Sequence, residues 1–300
     1  MTAPHRGSDH QDWLEHAFEQ QRPQLRAVAY RMLGSSADAE DAVQDTWIRV
    51  SRADTASVEN IGPWLRTVLS RVCLNQLRSR RQRREQPLTH IPDPVVTPDP
   101  GVDPEASAVV ADGVGMALLV VLDSLSPAER LAFVLHDMFG VAFEEIGSLL
   151  DRSPAAARQL ASRARRRVRG QAPTPDPDLA RQRQVVDAFL AAARLGDFDA
   201  LVSVLDPDVI LRSDGGTARP QLTMTLRGAA QVASQARNAE VLAPFTHRVL
   251  VNGAVGLLVA PKQKAQVVMA FTIVEQKIVA IDVLADPVRL DSLDVSAVLG

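Results

Sequence analysis

Two stretches of the chain set arginine beside small polar side chains at helical spacing. Arg71, Asn75, Arg78 and Gln82 fall on one helical face, and Arg80, Arg81, Arg83 and Arg84 extend the charge. Farther on, Arg158, Ser162, Arg165 and Arg169 share one edge of a second run, with Gln159, Arg163 and Arg166 along the other. The chemistry such faces offer is recognition rather than reaction. Guanidinium forks match phosphate oxygens and guanine edges, and side-chain amides match adenine edges. An arginine run is often only a solvated helix end. Arginine without lysine, with Asn75 and Gln82 on the same face, favours phosphate contact with base reading. Trp64, at the head of the first run, is a core residue or a stacking platform.

Groups able to move protons are sparse. Asp214, His247 and Asp282 are the candidates, since one carboxylate or imidazole in a dry pocket is enough for a general base. Each has an ordinary reading: Asp214 before Gly215 and Gly216 is a turn residue, and His247 lies in a strand-like run as a structural histidine. Tyr30, the one tyrosine, lies near the start of the chain, away from these groups. The single cysteine, Cys73, excludes an internal disulfide and a cysteine zinc site, and reads as a packed hydrophobe. No catalytic residue, metal or cofactor is expected.

The elements that must position these residues follow from composition. Three hundred residues, 46% hydrophobic and 23% charged, describe several globular domains and exclude a disordered or fibrous chain. No apolar run is long enough to span a membrane, and the start lacks the apolar core of a secretion signal, so a cytoplasmic protein is expected. The net charge of −3 hides strong blocks: residues 65–85 hold seven arginines against Glu85, and 152–170 hold seven arginines and no acid. Between them, 86–151 carry eleven acids against Arg130 alone. Within that block 85–107 contains six prolines and reads as an extended acidic linker. A second linker, QAPTPDPD, covers 171–178. The division predicted is 10–84, linker 85–107, 108–170, hinge 171–177, a domain over 178–290 and a tail over 291–300.

In the first unit Leu25, Val28, Ala29, Met32 and Leu33 form an amphipathic stripe that Gly34 ends. In DAEDAVQDTWIRV, Asp41, Gln44, Asp45 and Ile48 share an outer face while Ala39, Val43 and Val50 turn inward. Such an acidic face is a solvated surface or a docking surface for a basic partner. The next helix opens near Pro63 and buries Leu65, Val68, Leu69 and Val72. Residues 125–170 read as a helix-turn-helix. Phe143, Ile146 and Leu150 form the buried stripe of its first helix, and Asp151-Arg152 form the turn. Ser153 is the cap, Pro154 opens the second helix, and Ala157, Leu160, Ala161, Ala164 and Val168 line its buried side. Ala142 stands where a capping Ser or Thr is expected.

The order and wording of residues 11–170 resemble an extracytoplasmic-function (ECF) sigma factor. DAEDAVQDTW resembles the region 2.2 motif that docks on the clamp coiled coil of RNA polymerase, which implies polymerase contact by Asp38, Asp41, Gln44, Asp45 and Trp47. The helix from Pro63 resembles regions 2.3–2.4, implying −10 recognition by Trp64, Arg71, Asn75 and Arg78. The helix-turn-helix resembles region 4, implying −35 recognition by Arg158, Gln159, Ser162, Arg163 and Arg166 and contact with the polymerase flap. The acidic linker is then the segment that runs through the polymerase interior.

Residues 178–290 open with a helix carrying Val185, Phe189, Ala192 and Ala193 on one face. Strand-like runs follow at THRVLV, AVGLLVA, AQVVMAFTIVE and KIVAIDVLA, with Asn252-Gly253 as a hairpin turn. This part resembles the SnoaL-like branch of the NTF2 superfamily, an α+β cone, and the whole chain is similar to sigma factors of the SigJ type, which carry such a domain fused. The fold class expected is therefore multi-domain: two all-α sigma units plus the cone. The family's DGGG stretch is here Asp214, Gly215, Gly216, Thr217, and no WLPEP-like linker precedes the domain. The resemblance implies an alternative sigma factor binding core polymerase and promoter DNA, regulated in cis by intramolecular contact of the cone with the sigma units through the Asp214, Gly215, Gly216 motif. A small ligand in the cone is a further partner to consider. The rivals are a cyclase-like enzyme with a DNA-binding appendage and a one-component helix-turn-helix regulator.

Overall fold

The stripe from Leu25 to Leu33 is fully buried along α1 (Arg6–Leu33), and Ser35 then starts α2 (Ser36–Val50) by accepting the Asp38 N–H on its hydroxyl. In α3 (Ile61–Arg83) Leu65, Leu69 and Val72 turn inward while Arg71, Asn75, Arg78 and Gln82 face solvent. The computed structural model describes residues 6–53, 58, 60–83, 90–101, 115–236 and 242–300, which fall into two units. Arg84 and the ends of the acidic linker lie outside the described residues. The first unit comprises 1–85 and 122–167 and is helical. Besides α1–α3 it holds the end of α4 (Met116–Ser124), α5 (Pro127–Phe133), α6 (Phe143–Leu150) and most of α7 (Pro154–Gln171). A capping box opens α5, Ser126 and Glu129 each accepting a backbone N–H of the other. One π-helical turn over Val134–Met138 follows it, which sequence periodicity does not announce.

The second unit comprises 86–121 and 168–300. Asp178 caps α8 (Leu179–Leu195), and α9 (Phe198–Val204) and α10 (Ala229–Ala236) join it over one face of a sheet. The strands are β1 (Val96–Pro98), β2 (Leu205–Asp214), β3 (Met224–Arg227), β4 (Thr246–Val251), β5 (Ala254–Val259), β6 (Val267–Val274) and β7 (Lys277–Leu284). Their order is β1-β4-β5-β6-β7-β2-β3, antiparallel except for β2 with β7. Asn252 and Gly253, at φ 53° and 81°, make the β4–β5 turn in the left-handed conformation a two-residue hairpin needs. Phe189 and Phe271 meet edge to face at 5.3 Å within the core between helices and sheet. This is the α+β cone expected from the sequence. Three strands were not expected: β2, β3 and β1, of which β1 comes from the proline-rich linker and pairs with β4 at the sheet edge.

Candidate nucleic-acid interface

The helix-turn-helix is set by local chemistry. Ala142 occupies the cap of α6 with extended backbone and no side-chain hydrogen bond, as its methyl dictates. Asp151 ends α6 in the left-handed conformation (φ 53°), and the Ser153 hydroxyl accepts the Ala156 N–H at 3.2 Å to start α7. A side chain at Gly147 would meet the Arg152 carbonyl at 2.8 Å, so the tight turn requires glycine there. Ala157, Ala161 and Ala164 are fully buried, and their small size lets α7 approach its neighbours closely. Arg158, Gln159, Ser162, Arg163 and Arg166 all face solvent.

These side chains differ in their ties. The Arg158 guanidinium lies 5.2 Å over the Phe143 ring, which stacks on His136 at 3.8 Å, so it is oriented without being neutralised. Arg163 and Arg167 stand 3.6 and 3.8 Å from Glu129. Burial raises the Glu129 carboxyl, but the Ser126 hydroxyl and N–H together with these arginines outweigh it and hold it below its usual range. Arg165 is bound to Asp137 at 2.6 Å, a tie its outer-edge spacing did not reveal.

On α2, Asp41, Gln44 and Asp45 are exposed beside Ile48, which is 40% exposed. Asp38 and Trp47 sit deeper. Asp38 binds Arg80 of α3 at 2.6 Å, and the Trp47 ring lies 5.0 Å from Phe18 of α1. Trp64 is half-buried at the start of α3. The residue that sequence reasoning missed is Arg130, which is 2% exposed. Its Nη1 donates to Asp123 at 2.9 Å and its Nε to the Arg31 carbonyl at 3.1 Å, while Nη2 has no partner. Burial draws its pKa down despite Asp123, and pushes the neighbouring Cys73 thiol up to about 12, the state of an inert packed cysteine. Within this unit, then, α5 is fastened to α1. The basic edges of α3 and α7 border one basin of about 790 Å³, lined by Arg78, Arg81, Arg152 and Arg163 with Glu129.

In the second unit the acidic linker is held by a clasp of ion pairs. The Ile91 N–H and Arg289 Nη1 both donate to Asp214 Oδ2, at 3.3 and 2.7 Å. Arg289 also donates to Asp93 at 2.5 Å and to the Ile91 carbonyl. Asp99 accepts from Arg183 and Arg248, each at 2.7 Å. Burial raises the Asp99 carboxyl, and the Arg183 and Arg248 bonds more than reverse it, leaving it below its usual range. The turn after Asp214 explains its glycines: Gly216 takes φ 60°, and a Cβ there would lie 2.1 Å from Asp286 Oδ2. Thr217 is not among the positive-φ residues, which is why the absent third glycine leaves the turn intact. The residues that meet this turn, Ile91 and Asp93, come from far upstream of the domain. Of the acid/base candidates, His247 is exposed. Asp282 pairs with Arg212 at 2.8 Å and is raised by burial, with Oδ2 unpartnered.

Two helical segments with exposed arginine and amide faces lie in one unit of a chain that also carries an α+β body, the layout expected of a promoter-recognition subunit. The Sigma-70 region 2 family matches residues 17–83 and the Sigma-70 region 4 family matches 115–168. The ECF RNA polymerase sigma factor SigJ of Mycobacterium tuberculosis is 45% identical over 218 residues, covering 72% of this chain and 69% of that one. The probable ECF sigma factor SigI of the same organism is 34% identical over 292 residues, 94% of this chain and 96% of its own. The crystal structure of M. tuberculosis SigJ matches with a TM-score of 0.72 at 35% identity, over 93% of this chain and 99% of that one. The chain belongs to the ECF RNA polymerase sigma factor family: it is an alternative sigma factor whose partners are core RNA polymerase and promoter DNA. Among the described residues no helix is long and apolar enough to cross a membrane.

Proposed function

We propose that α7 reads the −35 element, with Arg158, Gln159, Ser162 and Arg163 at base edges and Arg166 on phosphate. Trp64, Arg71, Asn75 and Arg78 serve the −10 element. Asp41, Gln44 and Asp45, backed by Asp38 and Trp47, dock on the clamp coiled coil, and the region 4 unit meets the flap. The observation that carries this reading is the shared exposure of the arginine and amide side chains on the outer faces of α3 and α7, beside buried faces of alanine and leucine. The corresponding domains are 10–84, 108–170 and 178–290, separated by 85–107 and 171–177.

The test is transcription reconstituted with core polymerase on promoters varied at single −35 base pairs. Arg158→Ala is expected to lose about 1–3 kcal/mol of discrimination at one base pair. Arg166→Ala is expected to weaken all promoters alike and to shallow the salt dependence, because fewer counterions are released. Equal weakening of every promoter by Arg158→Ala would remove it from base readout.

The second part of the proposal is regulation in cis. In this reading the linker that must run between the two promoter-reading segments is taken up by the C-terminal body, through β1 and the clasps at Asp99 and Asp214. Tethering holds the body at an effective concentration near the millimolar range, so a weak contact suffices. Polymerase binding would have to draw the linker out. Releasing the clasp in the full chain with Asp99→Asn and Arg289→Ala is expected to change promoter output several-fold. Unchanged output, with the linker amides shown to be released, would remove the cis reading while leaving the sigma activity standing.

A further inference from the structure

Phe143 opens α6 and is only half-buried, although its place in a stripe with Ile146 and Leu150 predicts a core residue. Its ring carries a stack. The His136 imidazole lies 3.8 Å from it, centroid to centroid, at an interplanar angle of 28°, and the Arg158 guanidinium carbon lies over the ring at 5.2 Å. His136 is itself fixed: it sits in the π-helical turn Val134–Met138, and its Nδ1–H donates to the Val141 carbonyl at 3.0 Å. We propose that Phe143 is a positioning residue for promoter discrimination, its ring pre-orienting the Arg158 guanidinium for one −35 base pair. This rests on Arg158 reading the −35 element.

The ring does what a carboxylate cannot. Arg163 and Arg165, on the same helix, face Glu129 at 3.6 Å and Asp137 at 2.6 Å, and each must give up an anion before it meets DNA. Among the described residues Arg158 makes no ion pair. An aromatic face attracts the cation through its quadrupole and ties no N–H to an anion. The guanidinium fork therefore keeps its donors for the O6 and N7 of a guanine, the edge it matches in bidentate fashion. Order is the second part of the effect. A long side chain free in solvent loses rotamer entropy when a base edge fixes it, and a platform that restricts it beforehand reduces that loss. Specificity gains from this more than affinity does, because a bidentate contact tolerates little angular error whereas a phosphate is reached from many directions. The pair also joins the two helices of the motif. Phe143 stands at the start of α6 and Arg158 in the first turns of α7, where a recognition helix presents its side chains to bases.

Holoenzyme reconstituted with core polymerase, assayed on promoters changed at single −35 base pairs, tests the proposal, with Arg158→Ala marking the base pair that Arg158 reads. Phe143→Leu is expected to lower discrimination at that base pair about two- to fivefold, and to leave the other −35 base pairs discriminated as in the parent protein. Phe143→Tyr, which keeps the ring face, is expected to retain full discrimination. In the Arg158→Ala background Phe143→Leu should change discrimination no further. If Phe143→Leu does not fold, Phe143→Met, which is apolar and has no π face, replaces it. NMR relaxation of the Arg158 Nε–H in the full-length protein is then expected to show an ordered guanidinium in the parent and a mobile one in the variant. Full discrimination in a folded Leu or Met variant, equal loss at every −35 base pair, the same loss without Arg158, or an Arg158 side chain equally mobile in parent and variant would each overturn the positioning role while leaving Arg158 a base-reading residue. Unchanged base preferences in Arg158→Ala would overturn both.

Discussion

On α7, Arg158 and Arg163 stand in solvent, and Arg163 is 54% exposed against a carboxylate 3.6 Å away. In the C-terminal body Arg183 and Arg289 are 12% and 18% exposed, against Asp99 and Asp214 that are 4% and 2% exposed. The side-chain pair is the same and its energetics are not. An exposed pair contributes about 0–1 kcal/mol and is screened by salt, so its arginine exchanges readily onto a phosphate. A buried pair costs about 3–5 kcal/mol to break, because the survivor is left without compensation. The depth of the arginine, 54% exposed at Arg163 against 12% and 18% at Arg183 and Arg289, separates guanidiniums that stay open to solvent from those that fasten the chain to itself.

The largest test of that contrast is Asp214→Ala. It removes one of the two carboxylates that Arg289 binds, leaving Asp93, and the acceptor of the Ile91 N–H, so urea unfolding of the C-terminal body is expected to lose about 3 kcal/mol. Exchange of the Ile91 amide should accelerate in step. Arg163→Ala should change stability by less than about 0.5 kcal/mol, and equal effects of the two substitutions would erase the distinction. Next comes Gly216→Ala, which forces a Cβ against Asp286 at positive φ; a loss of about 2–3 kcal/mol is expected by the same measurement.

Acid titration sharpens the contrast further. The Asp99 carboxyl is depressed in the folded protein, so its contribution is complete above its unfolded value of about 3.9 and is lost as pH falls through the folded value. Amide exchange at β1 should therefore rise below about pH 4. Asp99→Asn, losing about 2 kcal/mol at neutral pH, should flatten that acid limb. The smallest effect is a gain: Ala142→Ser supplies the absent cap of α6 and should raise the stability of the helical unit by about 0.5–1 kcal/mol in thermal melts.

What the sequence disclosed was local, and what it concealed was distant. The helix-turn-helix, its alanine-lined α7 and the Asn252-Gly253 hairpin are written in neighbouring residues, and the structure holds each where the spacing put it. Strand β2 was hidden because Asp206, Pro207 and Asp208 break its alternation, and it is completed by parallel pairing with β7. Arg130 read as a lone cation in an acidic block. Nothing beside it in sequence predicts the Arg31 carbonyl, and only the fold brings that acceptor to it. The clasp was invisible for the same reason: Asp93 and Asp99 looked like members of a solvated acidic linker until Arg289, Arg183 and Arg248 were placed around them.

The pairing of β1 with β4 also fixes an order in time. Val96 leaves the ribosome early, but its partner Val251 follows only after α7 and much of the cone have been made. At roughly 5–20 residues per second, the interval is on the order of ten seconds. From the completion of α7 to the end of that interval both helical segments exist and the linker has no edge to join. Every newly made molecule therefore passes through a window in which its linker is still unclaimed, and polymerase present during synthesis meets a different protein from the one it meets afterwards.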